Sequence, residues 1–181
     1  MIILGVDPGT LFTGYAVINC SGSKVSILDY NVIKNPSGNS LPLRLKKIYD
    51  SLVDVIDKYH PDEFAIETAF YSKNVQSTLK IGHARGVSIL AAVNKQIPTA
   101  EYSPREVKKS VVGTGSASKE QVRYMVCQIL KIKYAPKSLD ISDAMAVAVC
   151  HYNKFMKFSS NGHSWKEYVK QNPKKVKINS R

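Results

Sequence analysis

The chain has 181 residues and sets 26 Lys and Arg against 14 Asp and Glu, a formal net charge of +12. With 44% hydrophobic and 9% aromatic residues it can bury a core, which excludes a disordered chain, and its length fits one globular domain. No apolar run reaches 18 residues, and Met1–Val6 lacks the basic flank of a signal peptide, so a cytoplasmic protein with no membrane association is expected. The cysteines, Cys20, Cys127 and Cys150, are odd in number and form no CxxC pair, so they read as small core residues in a reducing compartment. The positive excess calls for a polyanionic partner, and nucleic acid fits better than a membrane surface because no basic amphipathic helix stands out.

In chain order, Ile2-Ile3-Leu4-Gly5-Val6 is a continuous apolar run, the pattern of a strand buried on both faces, and it ends in the turn cluster Asp7-Pro8-Gly9-Thr10. Two further strands are predicted, Thr13–Ile18 and Lys24–Tyr30, joined by Ser21-Gly22-Ser23 into an antiparallel meander. From Ser40 the period becomes helical: Leu45, Ile48, Leu52, Ile56 and Tyr59 share a face, with His60-Pro61 as the stop. Glu63–Glu67 reads as a short strand parallel to the first. A helix from about Val75 to Lys95, a strand from Ile97 to Tyr102, a helix opened by Ser103-Pro104, another opened by Ser118 and a last one from Leu139 to about Phe155 complete the pattern. The class is α/β, a mixed five-stranded sheet flanked by helices, over residues 1–156. Residues 157–181 read as a basic, loosely ordered tail, with Lys157, Lys166, Lys170, Lys174, Lys175, Lys177 and Arg181 against Glu167 alone.

Asp7 and Glu67 close the first and fourth strands at their carboxyl ends, where ligands bind in open α/β sheets. Asp140 and Asp143, three apart at the start of the last helix, share a face. Taken singly, such acids are turn formers or favourable charges at a helix start. Together they are oxygen donors suited to Mg²⁺ or Mn²⁺, and two such ions support in-line phosphoryl displacement, so the reaction class is metal-dependent phosphodiester hydrolysis. Glu67 ends an apolar strand, Phe64-Ala65-Ile66, and a charge there needs a partner. The loop Val112-Gly113-Thr114-Gly115-Ser116 is either a phosphate-binding turn or a plain connection between helices. His60, His83, His151 and His163 share no metal spacing and read as structural or exposed.

The segments Ile3–Thr10, Phe64–Glu67 with Phe70, Gly82-His83-Ala84-Arg85-Gly86-Val87, Val107–Gly115 and Asp140-Ile141-Ser142-Asp143-Ala144-Met145-Ala146 resemble, in order and from about Met1 to His151, the bacterial RuvC Holliday-junction resolvases. The resemblance implies a ribonuclease H-like fold, a homodimer, and Mg²⁺-dependent resolution of four-way DNA junctions by paired symmetric nicks in recombination and repair. It places catalytic and metal-binding carboxylates at Asp7, Glu67, Asp140 and Asp143, a junction-contacting aromatic at Phe70, and DNA-contacting lysines at Lys73, Lys108 and Lys119. It further implies two ions per site and a RuvA/RuvB-type branch-migration complex as partner. The helix from Val75 to Lys95, with Leu79, Val87, Leu90 and Ala91 available for burial, is the expected dimer element. Two rivals stand beside this reading. The Gly5–Thr10 run also resembles the phosphate loop of sugar kinases, but those need two large halves and a second loop. A non-catalytic junction-binding protein on the same fold would leave the acids idle.

Overall fold

The computed structural model describes residues 1–22, 24–68, 75–160 and 176–177. Strands β1 (Ile2–Asp7), β2 (Phe12–Ser21) and β3 (Lys24–Lys34) lead into helix α1 (Leu41–Tyr59). Strand β4 (Glu63–Glu67), helix α2 (Val75–Asn94) and strand β5 (Thr99–Tyr102) follow, then helices α3 (Pro104–Val112), α4 (Lys119–Ile129) and α5 (Leu139–Ser160). A two-residue strand, β6 (Val176–Lys177), comes last. The sheet order is β3-β2-β1-β4-β5-β6. β1 is antiparallel to β2 and parallel to β4, and β4 is parallel to β5. The expected mixed five-stranded sheet is therefore present, and β6 adds an antiparallel edge through Thr99–Lys177 and Ala100–Val176.

Strand alternation divides the core into two layers. Leu4, Val6, Val17, Phe64 and Ile66 pack with Ile48, Leu52, Val55 and Ile56 of α1 and Ala84, Ala91 and Ala92 of α2. Ile3, Ala16, Ala65, Ala100 and Tyr102 pack on the other side with α3, α4 and the small-residue run Ala144–Cys150 of α5. By the same alternation Asp7 and Glu67 point to the α5 side. That helix lies very close to the sheet: a Cβ on Gly5 would collide with the Ala144 carbonyl, and one on Gly14 with the Asp140 carbonyl. The glycines thus let the N-terminal turn of α5 settle against the end of β1.

Helix ends follow local chemistry. Ser103 and Ser118 each close a capping box, with Glu106 and Gln121 as the returning side chains, and α1 stops at His60, whose φ of 46° is left-handed. Four elements, β2, β3, β5 and α5, have bounds that differ from expectation. β2 and β3 run longer because they stay paired through an irregularity at Val17/Ile18. β5 begins at Thr99, since the Ile97 N–H is donated to the Ala92 carbonyl at 3.0 Å and Pro98 has none. α5 continues to Ser160, past the boundary set at 156. The looseness expected of the tail concerns residues that, apart from Ser160 and its helical neighbours and β6, lie outside those described.

All three cysteines are buried, as expected. On α2, Ala91 is fully buried and so closed to a partner, Val87 is half-buried against the α1–α2 layer of the core, and Val75, Leu79 and Leu90 are exposed. Arg85 of α2 forms an ion pair with Glu101 of β5.

Candidate active site

β1 and β4 are adjacent and parallel, with Val6 opposite Ile66, so Asp7 and Glu67 leave neighbouring strand ends together. Asp140 lies in the first turn of α5, with Asp143 three residues further along the same face, and the helix start is held over this point by the Gly14 contact. Glu67 and Asp143 line a cleft of about 170 Å³ together with Pro104, Val107, Lys108, Lys119, Val122 and Ala146. Lys108 comes from α3, and Lys119 is the first residue of α4, set there by the Ser118 cap.

The electrostatics are those of crowded acids. Burial, reinforced by the nearby charges of Glu67, Asp143 and Asp140, pushes Asp7 up to about 8, against a partial offset from Lys119. Burial and Asp143 raise Glu67 to about 7, with Lys119 and Lys108 pulling the other way. The Lys119 ammonium donates to Asp143 Oδ2 at 2.6 Å, a contact that raises its own pKa against the cost of burial. Ser138 donates to Asp140 Oδ2 at 2.6 Å. Thr13 pins the turn after Asp7 by donating to the Gly9 carbonyl at 2.6 Å.

Of the residues singled out from sequence, Asp7, Glu67, Asp140, Asp143, Lys108 and Lys119 gather at this end of the sheet. Phe70 and Lys73 lie outside the described residues. Among the described residues, no three His, Cys, Asp or Glu side chains as they stand form a group that could enclose a metal ion. Asp143 is turned to Lys119 and Asp140 to Ser138 instead. Even so, the donor set fits a divalent cation: hard carboxylate oxygens, with two acids held well above their ordinary range by burial and mutual repulsion that positive charge would relieve. Sequence reasoning missed Ser138, although a serine two residues before Asp140 at a helix start was a readable signal. It also missed Pro104, Val107, Val122 and Ala146, the apolar lining, which no local pattern marks.

The geometry has close relatives. The family model described as Crossover junction endodeoxyribonuclease RuvC matches residues 3–151. The protein of that name from Cytophaga hutchinsonii is 46% identical over 176 residues, covering 97% of this chain and 88% of that one. Its counterpart from Chloroherpeton thalassium is 49% identical over 184 residues, covering 97% and 99%. Among solved structures, Thermus thermophilus RuvC in complex with Holliday junction substrate superimposes with a TM-score of 0.81 at 30% identity, covering 85% of this chain and 94% of that one. The yeast mitochondrial Holliday junction resolvase Ydc2 shares the fold, with a TM-score of 0.63 at 15% identity over 93% and 83% of the two chains. The family match spans all four carboxylates and both cleft lysines, and this chain belongs to the crossover junction endodeoxyribonuclease RuvC family.

Proposed function

We infer that the chain resolves four-way DNA junctions as a homodimer, cutting two strands of like polarity with Asp7, Glu67, Asp140 and Asp143 as the catalytic carboxylates. The observation that carries this is the register of β1 with β4, which brings Asp7 and Glu67 to one point beneath the Asp140–Asp143 turn. Those four side chains would hold Mg²⁺ or Mn²⁺, two ions per site in this reading. A divalent cation held by these carboxylates would supply charge stabilisation for the phosphoryl oxygens and would make an attacking water more acidic. Lys108 and Lys119 flank the acids and supply the opposite charge, so a DNA phosphate approaching the cleft meets cations before carboxylates. Within hydrogen-bond reach of Asp143, Lys119 also holds that carboxylate in place. Phe70 would stack on an unpaired base at the junction centre and Lys73 would bind a phosphate beside it.

The dimer reading is supported by α2, which leaves Val75, Leu79 and Leu90 exposed, and by open space around Gly82 and Gly86 on the same helix. A two-fold axis there gives two identical sites for two symmetric strands. A RuvA/RuvB-type branch-migration complex would deliver the junction, in the cytoplasm. No described helix is long and apolar enough to cross a membrane.

The test is a synthetic four-way junction incubated with the wild-type chain or Asp7→Asn, with and without Mg²⁺. The wild type should cut in Mg²⁺ only, and Asp7→Asn should bind the junction while cutting falls at least about 10²-fold, the loss expected when a key electrostatic group is removed. Tight binding with no cutting by the wild type would instead identify a non-catalytic junction binder.

A further inference from the structure

Helix α3 presents cations on two faces, and the acidic cleft uses only one. Pro104 and Lys108, a turn apart, line that cleft. Arg105 and Lys109, also a turn apart, lie about 100° further round the helix. There they line a second, open cleft of about 410 Å³ with Ser103, Glu106, Gly113, Thr114 and Gly115.

Several features make this second cleft a place for an anion. Glu106, its one acid, is already engaged: Oε2 accepts from the Ser103 N–H at 3.1 Å and from Ser103 Oγ at 2.9 Å, and Oε1 lies 3.5 Å from Lys154 Nζ. Gly115 packs directly on Arg105, where a Cβ would stand 2.5 Å from Arg105 Cγ, so the loop backbone sets the course of that side chain. Gly113, at a φ of 93°, turns the chain out of α3 by donating its N–H to the Lys109 carbonyl at 3.0 Å. The Thr114 and Ser116 hydroxyls, 3.0 Å apart, add hydrogen-bonding capacity at the rim. No hydrophobic side chain lines the cleft, whereas a guanidinium and an ammonium on one wall suit a phosphodiester.

We propose that the Arg105–Lys109 cleft is a second phosphate subsite, which takes a backbone phosphodiester of the same DNA strand whose scissile phosphate lies in the acidic cleft on the adjoining face of α3. This rests on the nuclease reading above and adds to it the path of the strand: across α3, from Lys108 to Arg105 and Lys109, ending on the Gly113–Gly115 loop. The subsite fixes the strand on one side of the cut and leaves the chemistry to the acids.

The experiment measures binding of a synthetic four-way junction, without divalent cation, between about 50 and 200 mM salt. Each phosphate contact contributes about 0.9 to the slope of log affinity against log salt. Arg105→Gln/Lys109→Gln should therefore lower the slope by about 1.8, so that its deficit relative to wild type shrinks about 12-fold across that range. Lys46→Gln/Lys58→Gln removes the same charge from α1, on the opposite layer, and should leave the slope unchanged. Gly115→Ala keeps every charge but displaces Arg105, and should weaken binding several-fold. An unchanged slope in the Arg105/Lys109 variant, an equal loss in the α1 control, or wild-type binding by Gly115→Ala would overturn the proposal. Failure of the nuclease reading shows separately, as absence of cutting by the wild type in Mg²⁺.

Discussion

Glu63 and Glu67 leave β4 on the same face, four residues apart, and meet different surroundings. Glu67 opens onto the cleft, whereas Glu63 is buried against α5, its Oε2 3.7 Å from Nε2 of the fully buried His151, whose Nδ1 lies 2.8 Å from the Tyr102 hydroxyl. Burial, with a smaller push from Asp62, raises Glu63 to about 8, and burial lowers His151 to about 4, so near neutrality the pair is uncharged. Unfolded, the carboxyl ionises at about 4.5 and the imidazole at about 6.5. Between 4.5 and 8 native Glu63 keeps a proton that the unfolded chain has lost, so its contribution to stability falls as pH rises. His151 acts in the opposite sense between 6.5 and 4, where the unfolded chain takes up a proton that the native ring refuses. Above 6.5 only the carboxyl effect remains, and Asp7 and Glu67 add to it with the same sign. In metal-free protein the melting temperature should fall from pH 6.5 to 8, and Glu63→Gln should make that fall shallower; an identical slope in the variant would show that Glu63 is already ionised in the native state. At this scale the sequence marked Glu67, a charge at the end of an apolar strand, but gave no sign that Glu63, at the start of the same strand, is buried. The Lys119–Asp143 bond was equally hidden, because it joins two helices 24 positions apart.

Elements were legible where their signals are local. The serine caps of α3 and α4 and the start of α1 after Ser40 depend on a few consecutive residues, and the structure places them as read. Periodicity finds a helix but does not say what covers each face, and α2 shows the difference. Val87, Ala91, Leu79 and Leu90 all looked available, yet the first two serve the protomer's own core. What remains outside is a stripe through Val75, Leu79 and Leu90, with Gly82 and Gly86 bare enough for close approach by a second helix. If this stripe is the two-fold contact, Leu79→Glu/Leu90→Glu buries charge in the dimer and leaves the monomer nearly untouched, since both side chains already face water. Sedimentation should then show a dimeric wild type and a monomeric variant with an unaltered melting transition. Junction cutting by the variant should lose its pairing, nicks on the two strands becoming independent. A variant that remains dimeric would move the two-fold axis off α2.

At the scale of the molecule the charge is divided rather than uniform. Four carboxylates are concentrated at one end of the sheet, so the remaining surface is more basic than a net +12 suggests. Residues 161–181 carry Lys166, Lys170, Lys174, Lys175, Lys177 and Arg181 against Glu167, and Val176–Lys177 ties this stretch to β5 at Thr99 and Ala100. That tie sets Val176 and Lys177 beside the first two residues of β5, the strand whose last residue, Tyr102, pairs with Glu67. A chain lacking residues 161–181 should therefore bind junctions with a flatter salt dependence, by about 0.9 for each phosphate contact removed, and lose most affinity at low salt. Its cutting of bound junctions should persist, because the carboxylates, Lys108 and Lys119 all belong to residues 1–160. Single-turnover cutting at saturating protein separates the two effects: an unchanged rate with a flatter binding slope fits a tail that gathers DNA, whereas an unchanged slope would mean that the six cations face away from it.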